Sequence, residues 1–147
     1  MPIVVGGRSL AALRRAGTLG DGWLGVWVTP ERWAASVDEV EAAAAAAGRS
    51  DVAWRHGLQV WCGFGPRGVA RTAVSAAMED LYRLPFDRFE RYVPVGTPAD
   101  AAAALAPYLE AGCRDFNIVP VASSVDEGVT AVAEVRTLLA ASLESVI

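Results

Sequence analysis

Short apolar runs alternate with stretches of helical periodicity along the chain, and no two runs lie close enough in sequence to form a hairpin. The runs predict four strands, each followed by a helix: Ile3–Val5, Gly22–Val28, Trp54–Phe64 and Arg114–Val121. Strands and helices that alternate in this way build a parallel sheet with right-handed crossovers. The chain is therefore predicted to be an α/β protein, either an open doubly wound sheet or four parallel β/α units forming half of a TIM-type (β/α)8 barrel.

Capping signals mark where the predicted helices begin. Thr29–Glu31 supplies an N-cap, a proline at the first helical position and an acid in the first turn, and Thr97–Asp100 repeats this arrangement. Ser124 and Glu127 have the spacing of a capping box and open the last helix. The first strand, Ile3–Val5, contains no polar alternation, which predicts a strand buried on both faces.

Length and composition limit the possible classes of protein. The 147 residues suffice for one domain with a substantial core, so we expect a single domain over residues 1–147, with a less regular cover segment at about residues 85–95. A net charge of −4 gives no reason to expect nucleic acid or an anionic membrane as a partner. The uncharged stretches are shorter than the roughly 20 residues of a membrane helix, and no secretory signal is seen, so a cytoplasmic location is expected.

The loop Gly6-Gly7-Arg8-Ser9 is the first candidate binding site. It joins the carboxyl end of the first strand to a helix N-terminus, where backbone N–H groups and the helix dipole favour an anion. Glycines let a phosphate approach the main chain, Ser9 adds a hydroxyl and Arg8 adds a positive charge. The alternative is an ordinary strand-to-helix turn in which Ser9 serves only as the cap.

Other chemistry-bearing residues are few. Trp27 and Trp61 lie near the predicted carboxyl ends of strands two and three and are candidates for a substrate pocket, with core packing as the alternative. His56 lies at the amino end of strand three, where no catalytic role is expected. Cys62 and Cys113 are expected to be buried thiols rather than a disulfide, and neither a metal-ligand spacing nor a nucleophile paired with a base is present. Catalytic residues therefore stay unassigned.

The order of several motifs resembles a known family. The stretches "PIVVGGRSLAALRRAGTLGDGW", "TPERW", "AAAAAGRS" and "VGTPADAAAALAPYLEAGCRDFNIVPV" are similar, in that order, to the second half of the bacterial luciferase-like monooxygenase family. This family includes flavin-dependent monooxygenases and deazaflavin-dependent dehydrogenases and reductases. The resemblance implies strands five to eight of a TIM-type barrel, a cofactor phosphate of FMN or a deazaflavin (coenzyme F420) held by Gly6–Ser9, and a structural role for Gly20–Gly22.

The resemblance also implies that half of the barrel is missing. The first and last strands would then expose open sheet edges, and closure would require a second copy in a homodimer or a complementary chain carrying the N-terminal half-barrel. A further possibility is that the chain is a fragment of a longer monooxygenase. We expect a flavin- or deazaflavin-dependent oxidoreductase acting on a small-molecule substrate. The alternative is a half-barrel scaffold or interaction protein that has lost its cofactor chemistry.

Overall fold

Five strands and five α-helices alternate along residues 1–144, the part of the chain that the computed structural model describes. The strands are β1 (Val4–Gly6), β2 (Gly22–Val26), β3 (Gly57–Phe64), β4 (Val95–Gly96) and β5 (Asp115–Val121). The helices are α1 (Leu10–Leu19), α2 (Pro30–Ala46), α3 (Arg67–Tyr82), α4 (Pro98–Glu110) and α5 (Val125–Glu144). The prediction of strands alternating with helices is confirmed.

The strands form one sheet. Its order is β1-β2-β3-β4, all three of these pairings are parallel, and β5 pairs with β3. The register sets Val5 opposite Trp23, Gly25 opposite Leu58 and Gly63 opposite Val95. The parallel α/β class predicted from the alternation is therefore correct.

The chain divides into two compact units. The first contains residues 1–59 and 110–117, and the second contains residues 60–109 together with the chain from Ile118 onward. Both β3 and β5 pass from one unit into the other. The single domain over residues 1–147 stays a prediction.

In the first unit, α1 packs closely on α2. A Cβ added to Gly17 of α1 would lie 2.3 Å from the carbonyl oxygen of Val40, so only glycine permits this approach. Trp33 of α2 fastens that helix to the sheet, because its indole N–H donates a buried hydrogen bond of 3.0 Å to the Gly57 carbonyl. Trp23 and Leu13 are almost fully buried in the same core.

In the second unit, the predicted cover segment consists of two single-turn 3₁₀ helices, Phe86–Arg88 and Glu90–Tyr92. Glu79 of α3 accepts a hydrogen bond of 2.8 Å from the Phe86 N–H, which fixes the segment to that helix. The two-residue strand β4 follows directly and was not predicted, since two residues carry no periodicity.

Three strand predictions are wrong in part, and the second strand ends at Val26 rather than Val28. β1 is not buried on both faces, since Val4 is 44% exposed, because β1 pairs only with β2 within the described chain. β3 begins at Gly57 rather than Trp54. Trp54 instead stacks on His56, with ring centroids 5.0 Å apart, and the Arg55 N–H donates to the Asp21 carbonyl. Both contacts hold the three residues before β3 in a loop.

Candidate functional site

The segment Gly6–Ser9 joins β1 to α1 and has a conformation set by its sequence. Gly7 has φ = +115°, in the left-handed region that favours glycine, and a Cβ there would lie 2.8 Å from the Cβ of Ala12. Ser9 is the N-cap of α1, and its hydroxyl oxygen accepts a hydrogen bond of 3.2 Å from the Ala12 N–H. The chain therefore leaves β1 and enters α1 within three residues.

The first turn of α1 is open to an anion. The first N–H groups of a helix have no intrahelical partner, and Ser9 caps only that of Ala12, which leaves the N–H groups of Leu10 and Ala11. No acidic residue lies in this turn or in the first turn of α3, whereas α2, α4 and α5 each carry one or more there. A Cβ added to Gly6 would meet nothing within 4 Å. A phosphate group fits this arrangement of free donors and open space.

Arg8 connects this loop to the end of β2. Its Nη1 donates a hydrogen bond of 3.1 Å to the Trp27 carbonyl, and its guanidinium carbon lies 5.7 Å from the centroid of the Trp27 ring. Trp27 follows β2 directly and has φ = +50°, a rare conformation for a residue with a side chain. The structure therefore brings together two residues that the sequence assigned separately, one to the phosphate and one to the substrate.

Trp23 is a further residue at this edge, and sequence reasoning did not assign it a role there. Its indole N–H donates a hydrogen bond of 2.7 Å to the carbonyl of Gly7 and so holds the loop in place. It occupies the last position of the motif "GDGW", which is the only signal that pointed to it. Because it is fully buried, Trp23 orients the loop from below rather than facing a ligand.

The preceding Gly20-Asp21-Gly22 has a structural role. The Asp21 carboxylate accepts a hydrogen bond of 2.7 Å from the Ile3 N–H, and the Asp21 N–H donates back to the Ile3 carbonyl. Arg49 donates hydrogen bonds to the carbonyls of Gly17 and Gly20. These contacts tie the end of α1 to the start of β1 and to the loop after α2.

Trp61 belongs to the second unit, described by itself. It is the fifth residue of the eight in β3, farther from the strand's carboxyl end than the sequence suggested. Its indole N–H donates a hydrogen bond of 3.0 Å to the hydroxyl of Tyr82, and the two rings meet edge to face. Its role in a substrate pocket stays a prediction.

His56 has a structural position: one of its ring nitrogens is hydrogen-bonded, and the other is buried without a hydrogen-bond partner among the described residues. Nδ1 accepts a hydrogen bond of 3.1 Å from the Trp23 N–H, so the neutral ring carries its proton on Nε2, which lies 3.6 Å from Glu41. Burial lowers the pKa of His56, and the nearby Glu41 carboxylate opposes this shift. Protonating Nδ1 would break its bond to the Trp23 N–H, which also disfavours the charged ring.

The remaining candidate features are the two cysteines, a metal site and a membrane helix. Cys62 and Cys113 are buried free thiols, as expected, and burial raises the pKa of each to about 12, so neither is a ready nucleophile. Within residues 1–144, no three histidine, cysteine or acidic side chains are grouped so as to hold a metal ion. In the same range, no helix is long and apolar enough to cross a membrane.

Comparison with known proteins identifies the class to which this fold belongs. The chain belongs to the luciferase-like monooxygenase family, whose family model matches residues 1–85. No curated protein matches the chain by sequence.

Solved structures resemble the chain over nearly its whole length. An F420-dependent secondary alcohol dehydrogenase, in complex with an F420-acetone adduct, matches 95% of the chain with a TM-score of 0.79 and 17% identity. The coenzyme F420-dependent tetrahydromethanopterin reductase from Methanopyrus kandleri matches 90% with a TM-score of 0.69 and 16% identity. Monooxygenase RslO1 from Streptomyces bottropensis matches 93% with a TM-score of 0.62 and 22% identity. The chain spans 49%, 49% and 45% of these three proteins, respectively.

Proposed function

We propose that this chain forms part of a flavin- or deazaflavin-dependent oxidoreductase and that Gly6–Ser9 holds the phosphate of FMN or coenzyme F420. The open first turn of α1 carries this proposal. Two backbone N–H groups, those of Leu10 and Ala11, have no acidic neighbour in that turn, and the space beside Gly6 is free. The F420-dependent and monooxygenase relatives support a cofactor of this class.

The residues of the loop would have distinct tasks in holding the phosphate. The N–H groups of Leu10 and Ala11 would donate to phosphate oxygens, and the helix dipole would favour the negative charge. Arg8 would contribute through its guanidinium N–H groups that do not face the Trp27 carbonyl, while Trp27 keeps it at the carboxyl edge of the sheet. The bound cofactor would supply the redox chemistry, as in other cofactor enzymes.

We propose further that the sheet is completed by strands from outside the described residues. Within residues 1–144, β1 pairs only with β2 and β5 only with β3, so each has a free edge. Ile3 and Val4 at the β1 edge are 55% and 44% exposed. A second copy in a homodimer, or a chain carrying the other half of a barrel, would cover both edges.

Calorimetric titration with FMN and with coenzyme F420 tests the phosphate site. The wild-type chain should bind at least one of them. Arg8→Gln should weaken that binding about tenfold, which is the low end of the loss expected for one hydrogen bond to a charged group. Arg14→Gln is the matched control, because Arg14 is exposed on α1 away from the loop and should leave binding unchanged. Absence of binding to either cofactor would favour the scaffold alternative.

Mass measurement in solution tests the completion of the sheet. Sedimentation of the wild-type chain at micromolar concentration should show a dimer, or a monomer of low stability that a first-half chain stabilises. A compact monomer that resists denaturant as well as an ordinary domain does would contradict this part of the proposal.

A further inference from the structure

The chain contains one glutamine and one asparagine, and the fold brings them together. Gln59 is the third residue of β3 and Asn117 is the third residue of β5. The Asn117 Nδ2 lies 3.5 Å from the Gln59 Oε1. Both residues belong to the first unit, so the pair lies in the same compact body as the Gly6–Ser9 loop.

The pair lies on the sheet face opposite α2. The register places Gly25 beside Leu58, and a Cβ on Gly25 would lie 3.1 Å from the ring of Trp33, so these two positions face α2. Leu58 is 3% exposed, which agrees with burial under the helix. Because successive side chains in a strand alternate between faces, Gln59 points to the other face.

Carboxamides are unexpected on that face. Parallel sheets are normally covered on both faces and read as apolar runs, and the inner face of a β/α barrel is filled by branched apolar side chains. Gln59 is opposite Val26, the last residue of β2, so it lies level with the carboxyl edge of that strand. β3 itself continues to Phe64, so Gln59 is level with the end of β2 and lies in the first half of its own strand.

The distance between Gln59 and the Gly6–Ser9 loop suits a ligand with a phosphate at one end and a polar ring at the other. Gly6 is opposite Leu24, and Leu24 is opposite Gly57, so Gly6 and Gln59 lie two strands apart and on the same face. With about 4.8 Å between strands and about 3.3 Å per residue, their Cα atoms are roughly 12 Å apart. A pentitol chain separates phosphate and ring in both FMN and coenzyme F420, and it spans a gap of this kind.

We propose that Gln59 and Asn117 hydrogen-bond the imide edge of the flavin or deazaflavin pyrimidine ring, that is, N3–H and its two flanking carbonyls. This rests on the proposed cofactor site. An imide presents acceptor, donor and acceptor in a row, and two carboxamides supply the complementary donor, acceptor and donor. The mutual contact of 3.5 Å is long for a hydrogen bond, so exchanging it for contacts to a ring costs little.

Variants of the pair separate ring recognition from phosphate recognition. Asn117→Leu and Gln59→Leu should each weaken binding of the cofactor about tenfold, the loss for one buried hydrogen bond, while leaving competition by inorganic phosphate unchanged. Thr137→Val, a polar-to-apolar change on the exposed side of α5, should alter neither. Unfolding curves of the variants establish that they are folded before binding is compared.

A modified ligand tests the same contact without any variant. 3-Methyl-FMN lacks the N3–H donor, so the wild-type chain should bind it about tenfold more weakly than FMN, and at least one of Gln59→Leu and Asn117→Leu should remove the difference. If the cofactor binds with the expected dependence on Arg8, but neither variant weakens it and N3-methylation has no effect, the ring assignment is overturned while the phosphate site stands. If the wild-type chain binds no cofactor, both are overturned.

Discussion

The starts of α1 and α4 follow one plan and differ in what fills the first turn. A glycine at positive φ stands at or just after the end of each preceding strand, Gly7 at +115° and Gly96 at +133°, and a hydroxyl residue, Ser9 or Thr97, directly precedes each helix. At α4, Asp100 accepts hydrogen bonds of 2.8 Å from both the backbone N–H and the hydroxyl of Thr97. At α1, Ser9 caps one N–H and no acid follows.

The difference shows why a helix N-terminus is not by itself an anion site. Asp100 places its own carboxylate at the start of α4, and Arg67 balances that charge at 3.3 Å. A Cβ on Gly96 would lie 2.4 Å from the Asp100 carboxylate, so the space there is already occupied. The chain supplies the anion at α4 and leaves the position open at α1, which is why we assign the phosphate to α1.

The largest expected effect comes from closing the open site. Gly6→Asp places a carboxylate in the free space beside the first turn, and it should lower the affinity for FMN or coenzyme F420 about 100-fold, since a charged hydrogen-bonding site is lost. Gly6→Asn has nearly the same shape without the charge and should cost far less. Calorimetric titration measures both. Equal losses for the two variants would show that shape, not charge, governs the site.

Substitution of either turn glycine, Gly7 or Gly96, should lower the free energy of unfolding by about the same amount. Gly7→Ala and Gly96→Ala each force an alanine into positive φ and against a close neighbour, and each should lower the free energy of unfolding by about 2 kcal/mol. Gly6→Ala is the control, because its Cβ meets nothing and its φ is ordinary. Urea unfolding measures all three. A large loss for Gly6→Ala would contradict the account of open space at that position.

An acidic residue introduced into the first turn of α1 should make that turn resemble the first turn of α4, where Asp100 already supplies a carboxylate. Ala11 is exposed in the first turn, at the position that Glu31 holds in α2. Ala11→Glu should keep or slightly raise stability, by about 0.5 kcal/mol through the helix dipole, and lower cofactor affinity about tenfold. Ala11→Gln controls for size. Unchanged affinity in Ala11→Glu would place the phosphate elsewhere.

The smallest expected effect is a difference in acid sensitivity. Hydrogen bonds from the Thr97 backbone and hydroxyl, together with Arg67, lower the pKa of Asp100 below its ordinary 3.8. Its contribution to stability is therefore complete above pH 3.8 and is lost as the pH falls through the lowered folded pKa. Urea unfolding should show this loss in the wild type and not in Asp100→Asn.

His56 provides an internal reference for that experiment. Its folded pKa lies below the ordinary 6.5, so the unfolded chain takes up a proton first and stability falls as the pH drops below 6.5 toward the lowered value. This loss should appear equally in the wild type and in Asp100→Asn. If the wild type and Asp100→Asn lost stability identically over the whole acid range, Asp100 would not contribute to stability as we assign.

The sequence predicted the structural features that depend on residues close together in the chain. Alternation of strands and helices, the caps at Thr29, Thr97 and Ser124, and the irregular segment after α3 are all encoded within a few residues, and the structure contains each of them. The position of the Gly6–Ser9 loop followed from the same local signals. Its openness did not, because it depends on which neighbours the fold brings near.

Contacts between distant residues could not be predicted. The bond from Arg8 to Trp27 and the meeting of Gln59 with Asn117 depend on strand register, which no single segment encodes. The exposure of β1 depends on which strands pair with it, so its apolar sequence suggested burial. Residues before β3 look like a strand by composition, but the bond from Arg55 to Asp21 holds them in a loop.

The most direct test of the central claim follows backbone amide resonances during a titration with FMN or coenzyme F420. Phosphate bound at the open first turn should shift the N–H signals of Leu10 and Ala11 strongly, and those of Thr97 and Asp100 at the filled turn should stay in place. Saturating binding that leaves Leu10 and Ala11 unshifted would contradict the assignment of the phosphate to α1.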